Sequence, residues 1–332
     1  MLEPRGAVGE FRGVAQPGSA LAWGASGRGF KSRRPDWFPP GAALQAARNR
    51  AERCALTYSA SETPPHVADS SLPRWKPGAS LFHVSILLSN DDGISSEGIA
   101  VLQETLAALD EIWVVAPDRD RSAVSHSLTL HRPLRIEPVG PRVFAVDGTP
   151  TDCINLAING ILRERPRLVI SGINHGANLG DDITYSGTVS AAMEATLLGV
   201  PAVAVSLVAD SAFDFAPAAA FTHRLAAAIL DDHLPSDTLL NVNVPALPAE
   251  QIKGFALTRQ GKRRYDDAIV ERTDPRGKTY YWIGGGPFAF VDGEGTDFSA
   301  VQQGLISVTP LHLDLTNYAS LVRLRKLQLR WP

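Results

Sequence analysis

VSILLSNDDGI (Val84–Ile94) is the stretch on which the fold turns. Six predominantly apolar residues stop at Asn90-Asp91-Asp92-Gly93, a turn signal. A short apolar run closed in this way marks a strand buried on both faces of a parallel sheet. Ile99, Leu102, Leu106 and Leu109 follow at helical spacing. The pattern then repeats. Strands are expected at Glu111–Ala116 (closed by Pro117), Leu168–Ser171, Pro201–Leu207 and, as the last, Leu239–Val244. Helices are expected at Asp152–Leu162 (with Thr151 as N-cap), Val189–Leu198 and Ala216–Leu230. Such alternation implies right-handed crossovers and a Rossmann-like, doubly wound, mostly parallel α/β sheet.

Two stretches interrupt it. His126–Val146 reads as β-rich arms punctuated by Pro133, Pro138 and Pro141, and Gly254–Pro310 as a β-rich extension of short strands and Gly clusters. Excursions of this kind serve oligomer contacts. Tyr318–Leu329 reads as a closing helix.

Residues 1–83 differ in character. They carry 11 Lys and Arg against 6 Asp and Glu, whereas the remainder carries 21 against 29, so the near-neutral total of −3 hides two segments of opposite sign. The segment is rich in Gly, Pro, Ser and Arg, its one helix-like run is Ala42–Leu56, and it reads as a disordered extension. Met1–Ala22 lacks the apolar run of a secretory signal; a transit peptide fits the Arg and Ser content better, but Glu3, Glu10, Asp36 and helix-breaking glycines weaken that reading. GVAQPGSALAWGASGRGFKSRRPD (Gly13–Asp36) resembles the peptide made when a transfer-RNA gene is translated. On that reading the protein begins near Val84, and peptides from the first 80 residues in a native digest would refute it.

Composition narrows the function. The 332 residues are 44% hydrophobic, ordinary for a globular protein, with no run approaching a membrane span. The small net charge argues against a nucleic-acid polymer or an anionic lipid surface as partner. Cys54 and Cys153 are the only cysteines, too few for a disulfide scaffold or a Cys-rich zinc module. A cytoplasmic location follows as the expectation.

Ligands of an open parallel sheet bind beyond the carboxyl ends of its strands. Asn90, Asp91 and Asp92 stand there, as do Asp118 to Ser122, and Gly172, Asn174 and His175. Adjacent carboxylates repel unless a cation binds them, and Ser and Asn oxygens favour Mg2+ or Mn2+ over zinc. The simpler alternative is an Asx turn that caps the next helix. Ser186-Gly187-Thr188 opens a helix whose free N–H groups and dipole suit a phosphate, although a plain helix cap has the same sequence. His126 and His175 are candidate general acids, a surface or core histidine being the plain reading of each. Asp181-Asp182 could line the site, and Lys262-Arg263-Arg264 could attract an anion from a neighbouring subunit, a solvated loop and hairpin being the plain readings. GISSEG (Gly93–Gly98) lacks the dinucleotide glycine spacing, which disfavours a nicotinamide oxidoreductase, and no P-loop, HExxH or GxSxG occurs.

Taken together, LLSNDDGI (Leu87–Ile94), VVAPDRDRSAVSHSLTL (Val114–Leu130), VDGTPTDC (Val146–Cys153), SGINHGANLGDDITYSGTVSAAMEA (Ser171–Ala195) and ISVTPLHLDLT (Ile306–Thr316) resemble the SurE family of stationary-phase survival nucleotidases. The resemblance spans Val84 to Leu321. It implies a metal-dependent phosphatase of nucleoside 5′- and 3′-monophosphates, often active on short polyphosphate, with one Mg2+ or Mn2+ per subunit. It places the metal ligands at Asp91, Asp92, Ser122 and Asn174, and it implies a homodimer or homotetramer built through C-terminal extensions. On physical grounds Ser186, Gly187 and Thr188 would hold the phosphate, Asn90 would donate an amide hydrogen bond to it, and His126 would contact the substrate. A non-catalytic nucleotide-binding module is the competing reading.

Overall fold

In the computed structural model, residues 85–209, 214–264, 269–283, 289–291 and 293–327 are described below. The extension, its Ala42–Leu56 run, Val84 and residues 328–332 lie outside the described residues; the closing helix expected over Tyr318–Leu329 ends at Leu324. β1 (Ser85–Ser89) is buried along its whole length, as a two-faced strand requires. The chain continues through α1 (Glu97–Leu106), β2 (Glu111–Pro117), β3 (Ile136–Gly140), β4 (Val143–Val146), α2 (Pro150–Leu156), β5 (Leu168–His175), α3 (Gly187–Leu197), β6 (Ala202–Val208), α4 (Ala216–Asp231) and β7 (Thr238–Pro245). Next come β8 (Phe255–Leu257), β9 (Arg263–Arg264), β10 (Ile269–Thr273), β11 (Thr279–Ile283), β12 (Ala289–Phe290), α5 (Asp297–Gln302), β13 (Ile306–His312) and α6 (Tyr318–Leu324).

Nine strands form one sheet in the order β3-β4-β2-β1-β5-β6-β7-β13-β8. From β4 to β7 all neighbours are parallel. The chain winds outward from β1 to β2 and β4, then returns to the other side of β1 and winds out again through β5, β6 and β7. This is the doubly wound topology, and its direction switches between β1 and β5. Alternate residues of β1 feed the two faces. Ile86 and Leu88 pack with Leu102 of α1 and Ala219 and Ile229 of α4, while Leu87 packs with Ile154 of α2 and Val189 and Ala192 of α3.

Three expectations need correction. Leu239–Val244 is not the last strand of the sheet: β13 pairs antiparallel with β7, and β8 adds beyond it. The two ends of the Gly254–Pro310 stretch therefore belong to the main sheet. Only its middle departs, as the antiparallel pairs β10–β11 and β9–β12. The second helix starts earlier than expected, with Thr149 rather than Thr151 as its cap. The Thr149 hydroxyl accepts from the Asp152 N–H while the Asp152 carboxylate accepts from the Thr149 N–H, a reciprocal capping box. Pro150, needing no N–H partner, takes the first helical position. The helix closes in a π turn, Ala157–Ile161. In the His126–Val146 stretch only β3 and β4 are strands; Thr129 is pinned to the Asp152 carboxylate through its N–H and hydroxyl at 2.8 and 2.6 Å.

Candidate metal and phosphate site

β2, β1 and β5 are neighbours, so the loops after Pro117, Ser89 and His175 meet at one edge of the sheet. Backbone hydrogen bonds tie them: the Arg121 N–H donates to the Asp91 carbonyl at 2.7 Å, and the Ile94 N–H to the Pro117 carbonyl at 2.8 Å. Gly93 has φ +98°, and a Cβ there would lie 2.9 Å from the Arg119 carbonyl carbon, so the turn admits only glycine without a shift. Asn90 is buried and braces this turn. Its Nδ2 donates to the Gly93 carbonyl (3.0 Å) and the Ser96 hydroxyl (2.7 Å), and its Oδ1 accepts the Gly93 N–H (3.2 Å). Both amide protons are thus engaged within the loop rather than directed at a ligand.

Asp91 is 4% exposed. The Thr188 hydroxyl donates to its Oδ1 across 97 positions of sequence. Burial pushes the Asp91 carboxyl up to about 6; the adjacent Asp92 charge adds to the rise, and the Thr188 hydrogen bond opposes it. Gly187 makes the approach possible, since a Cβ there would stand 2.7 Å from the Asp91 Cβ. Asp92 is also raised, mainly by burial, with His175 opposing: His175 Nδ1 lies 3.0 Å from Oδ1, and the His175 N–H donates to Oδ2 at 3.2 Å. Among the described residues no Lys or Arg is paired with either carboxylate.

Asn174 and His175 end β5 beyond a register shift relative to β6, between Ser171 and Asn174. A bulge of this kind re-aims the side chains that follow it. Asn174 Nδ2 donates to the Gly176 carbonyl at 2.9 Å, which turns its Oδ1 the other way as an oxygen donor. Ser122 is exposed; its hydroxyl donates to Asp120 Oδ1 at 2.6 Å and keeps its lone pairs for a ligand. A cavity of about 540 Å3 opens beside Asp92 and His175, lined also by Ser96, Glu97, Asp118 and Arg119 among others.

Ser186 caps α3, its Oγ accepting the Val189 N–H at 3.1 Å. Thr188, expected to face a phosphate, uses its hydroxyl to hold Asp91. His126 leans on α3: its Nε2 is 3.0 Å from Glu194 Oε2, while Asn155 of α2 donates to Glu194 Oε1 at 2.7 Å. The Ser125 N–H and hydroxyl secure the same loop to the carbonyls of Tyr185 and Thr184, just ahead of Ser186. The second acidic pair and the basic run, read as separate solvated features, meet each other. Arg263 pairs with Asp182 at 2.6 Å, and its N–H donates to Asp181 at 3.1 Å.

Glu194 and Asn155, which the sequence reading does not single out, stand behind His126. A charged residue within GTVSAAMEATL, a helix of small residues buried on most sides, is the signal that could have marked Glu194.

A family model described as "Survival protein SurE" matches residues 86–267. The 5′-nucleotidase SurE of Geobacter metallireducens is 59% identical over 243 residues, 73% of this chain and 96% of that protein. The protein of the same name from Geobacter sulfurreducens is 60% identical over 239 residues, 72% of this chain and 91% of that one. The crystal structure of the SurE protein from Aquifex aeolicus superposes with a TM-score of 0.68 at 47% identity, over 74% of this chain and all of that one. With a buried carboxylate and a half-buried one side by side at the switch point of a doubly wound sheet, and with relatives this similar over most of its length, the chain belongs to the survival protein SurE family.

Proposed function

We propose that the protein is a divalent-cation-dependent phosphomonoesterase that hydrolyses nucleoside 5′-monophosphates to nucleoside and phosphate, with 3′-monophosphates and short polyphosphate as further substrates. The observation that carries this reading is the Asp91–Asp92 pair: two adjacent carboxylates, both desolvated and both raised, with no Lys or Arg ion-paired to either among the described residues. Such a pair fits a hard cation, which removes the cost of two buried like charges. Asp91, Asp92, the Asn174 Oδ1 and the Ser122 hydroxyl would hold it, an all-oxygen set that suits Mg2+ or Mn2+. When bound, the cation supplies Lewis-acid polarisation of a phosphoryl oxygen and of a water molecule.

The chain's own residues do the rest. Thr188 holds Asp91 in place, and Asn90 keeps the Asn90–Gly93 turn in the conformation that presents both carboxylates. Ser186, Gly187 and Thr188 bring the start of α3 to the same spot, where its N-terminal dipole favours charge gathering on the phosphoryl group. His126, 30% exposed and held against α3 by Glu194, would contact the phosphate monoester.

The assembly proposed is a homodimer or homotetramer. All five residues of β11, including Tyr281, Trp282 and Ile283, are exposed, as are Tyr318, Leu321 and Val322 of α6. Apolar surface of this extent supports burial against a second copy. No helix among the described residues is long and apolar enough to cross a membrane.

The test is phosphate release from a panel of nucleoside monophosphates, after chelation and with Mg2+ or Mn2+ restored. Release abolished by chelator and recovered with either ion is expected. Tight nucleotide binding with no release under any ion would leave a binding module instead.

A further inference from the structure

Glu194 is a carboxylate 5% exposed in the middle of α3, with no part in the proposed cation site. Both of its oxygens are taken. Oε2 faces His126 Nε2 at 3.0 Å and Oε1 accepts from Asn155 Nδ2 at 2.7 Å. Asn155 lies on α2, so the carboxylate is gripped from a second helix and cannot rotate without losing a bond. The hydrogen bond from His126, reinforced by that from Asn155, holds Glu194 below the usual carboxylate range although burial opposes this, so it is ionised at neutral pH. An ionised carboxylate only accepts hydrogen bonds. The proton therefore sits on His126 Nε2, and Nδ1 is the ring nitrogen left with a lone pair to accept.

We propose that Glu194 is a positioning residue for phosphate-ester hydrolysis, fixing the tautomer and orientation of His126 against the substrate, with Asn155 as its brace. The inference rests on the nucleotidase reading and on His126 contacting the phosphate monoester. An oriented carboxylate behind an imidazole is a general device for presenting the correct ring nitrogen to a reacting group. Here it is built from α3, the helix whose first turn also holds Asp91. One rigid element thereby sets the position of a candidate cation ligand and of the imidazole together.

The decisive variant is Glu194→Gln. It keeps the size and the Asn155 bond but turns an NH2 toward Nε2, which then must accept, reversing the tautomer. The expected result is a fall in kcat of about 10²-fold, as for loss of an acid–base or polar contact to the reacting group. KM and the Mn2+ concentration for half-activation stay near the wild-type values. In the His126→Ala background the same substitution has no further effect. A loop anchor with no role in the reaction would instead move the Mn2+ requirement, because the loop carries Ser122, and its effect would persist without His126. The 15N-resolved ring signals of wild-type His126 supply a readout independent of the variants: the Nε2–H form is expected, and an Nδ1–H form overturns the proposal. An active wild type whose Glu194→Gln variant keeps its kcat refutes the positioning role alone. A wild type that releases no phosphate with any monophosphate and ion refutes the nucleotidase reading beneath it.

Discussion

The strand-end site and the β10–β11 arm are opposites. At the site, buried and half-buried polar groups are bonded across long sequence separations: Asp91 to Thr188, His126 to Glu194, Asp92 to His175. In the arm, apolar groups are exposed along a two-stranded ribbon that has no core of its own. A ribbon of two strands is marginal in isolation. The first region is over-determined by contacts within one chain, and the second awaits contacts from outside it. The difference separates chemistry from assembly, and substitutions in the two regions have correspondingly different readouts.

The largest effect is expected at Asp91. Asp91→Asn lowers kcat by a factor of about 10³ through loss of a charged ligand and of transition-state electrostatics. The same variant stabilises the cation-free protein. The folded-state carboxyl is raised to about 6 from an ordinary 3.8, so folding favours its protonated form. That favour is present at low pH and is lost as pH rises from about 4 through 6. At pH 7 the ionised, buried carboxylate costs about 3 kcal/mol, which the neutral amide avoids. Thermal melts in chelator should show the variant melting above wild type at pH 7, with the gap closing toward pH 4.

Thr188→Val sharpens the same side of the comparison. Removing a hydrogen bond that orients a cation ligand costs about 10- to 100-fold in cation affinity or activity, whereas Thr188→Ser stays close to wild type. Mn2+ titrations of activity for the two variants make the check. The arm is broken differently. Trp282→Glu with Ile283→Glu puts two charges where apolar contacts with a second copy are expected. At about 1.5 to 3 kcal/mol per lost apolar side chain, the dissociation constant rises at least tenfold in sedimentation equilibrium. The smallest effect belongs to the bond between β9 and the loop ahead of α3. Asp182→Asn removes the Arg263 ion pair, which is partly exposed, and lowers stability by no more than about 1 kcal/mol in a denaturant melt.

What could be read from sequence follows the same division. β1, β2, β5, β6 and β7 were legible because strands buried on both faces are written as apolar runs, and the loops after them were legible because a parallel sheet gathers its carboxyl ends. β13 and β8 were hidden, since their pairing depends on the chain returning after β9 to β12. Thr149 was missed because a capping box is a reciprocal pair, recognised through Asp152 rather than through the hydroxyl nearest the helix. The Asp91–Thr188 bond and the Asn155–Glu194–His126 chain have no local signature at all. They exist because α2 and α3 pack on the face of the sheet below the loops, a consequence of tertiary structure. The Arg263 link to Asp181 and Asp182 is of the same kind.

The most direct test of the central reading is anomalous diffraction from crystals grown with Mn2+. One strong peak per chain is expected within about 2.0–2.5 Å of oxygens from Asp91, Asp92, Ser122 and Asn174. A peak at other residues, or none beside Asp91 and Asp92 at saturating Mn2+, would contradict it.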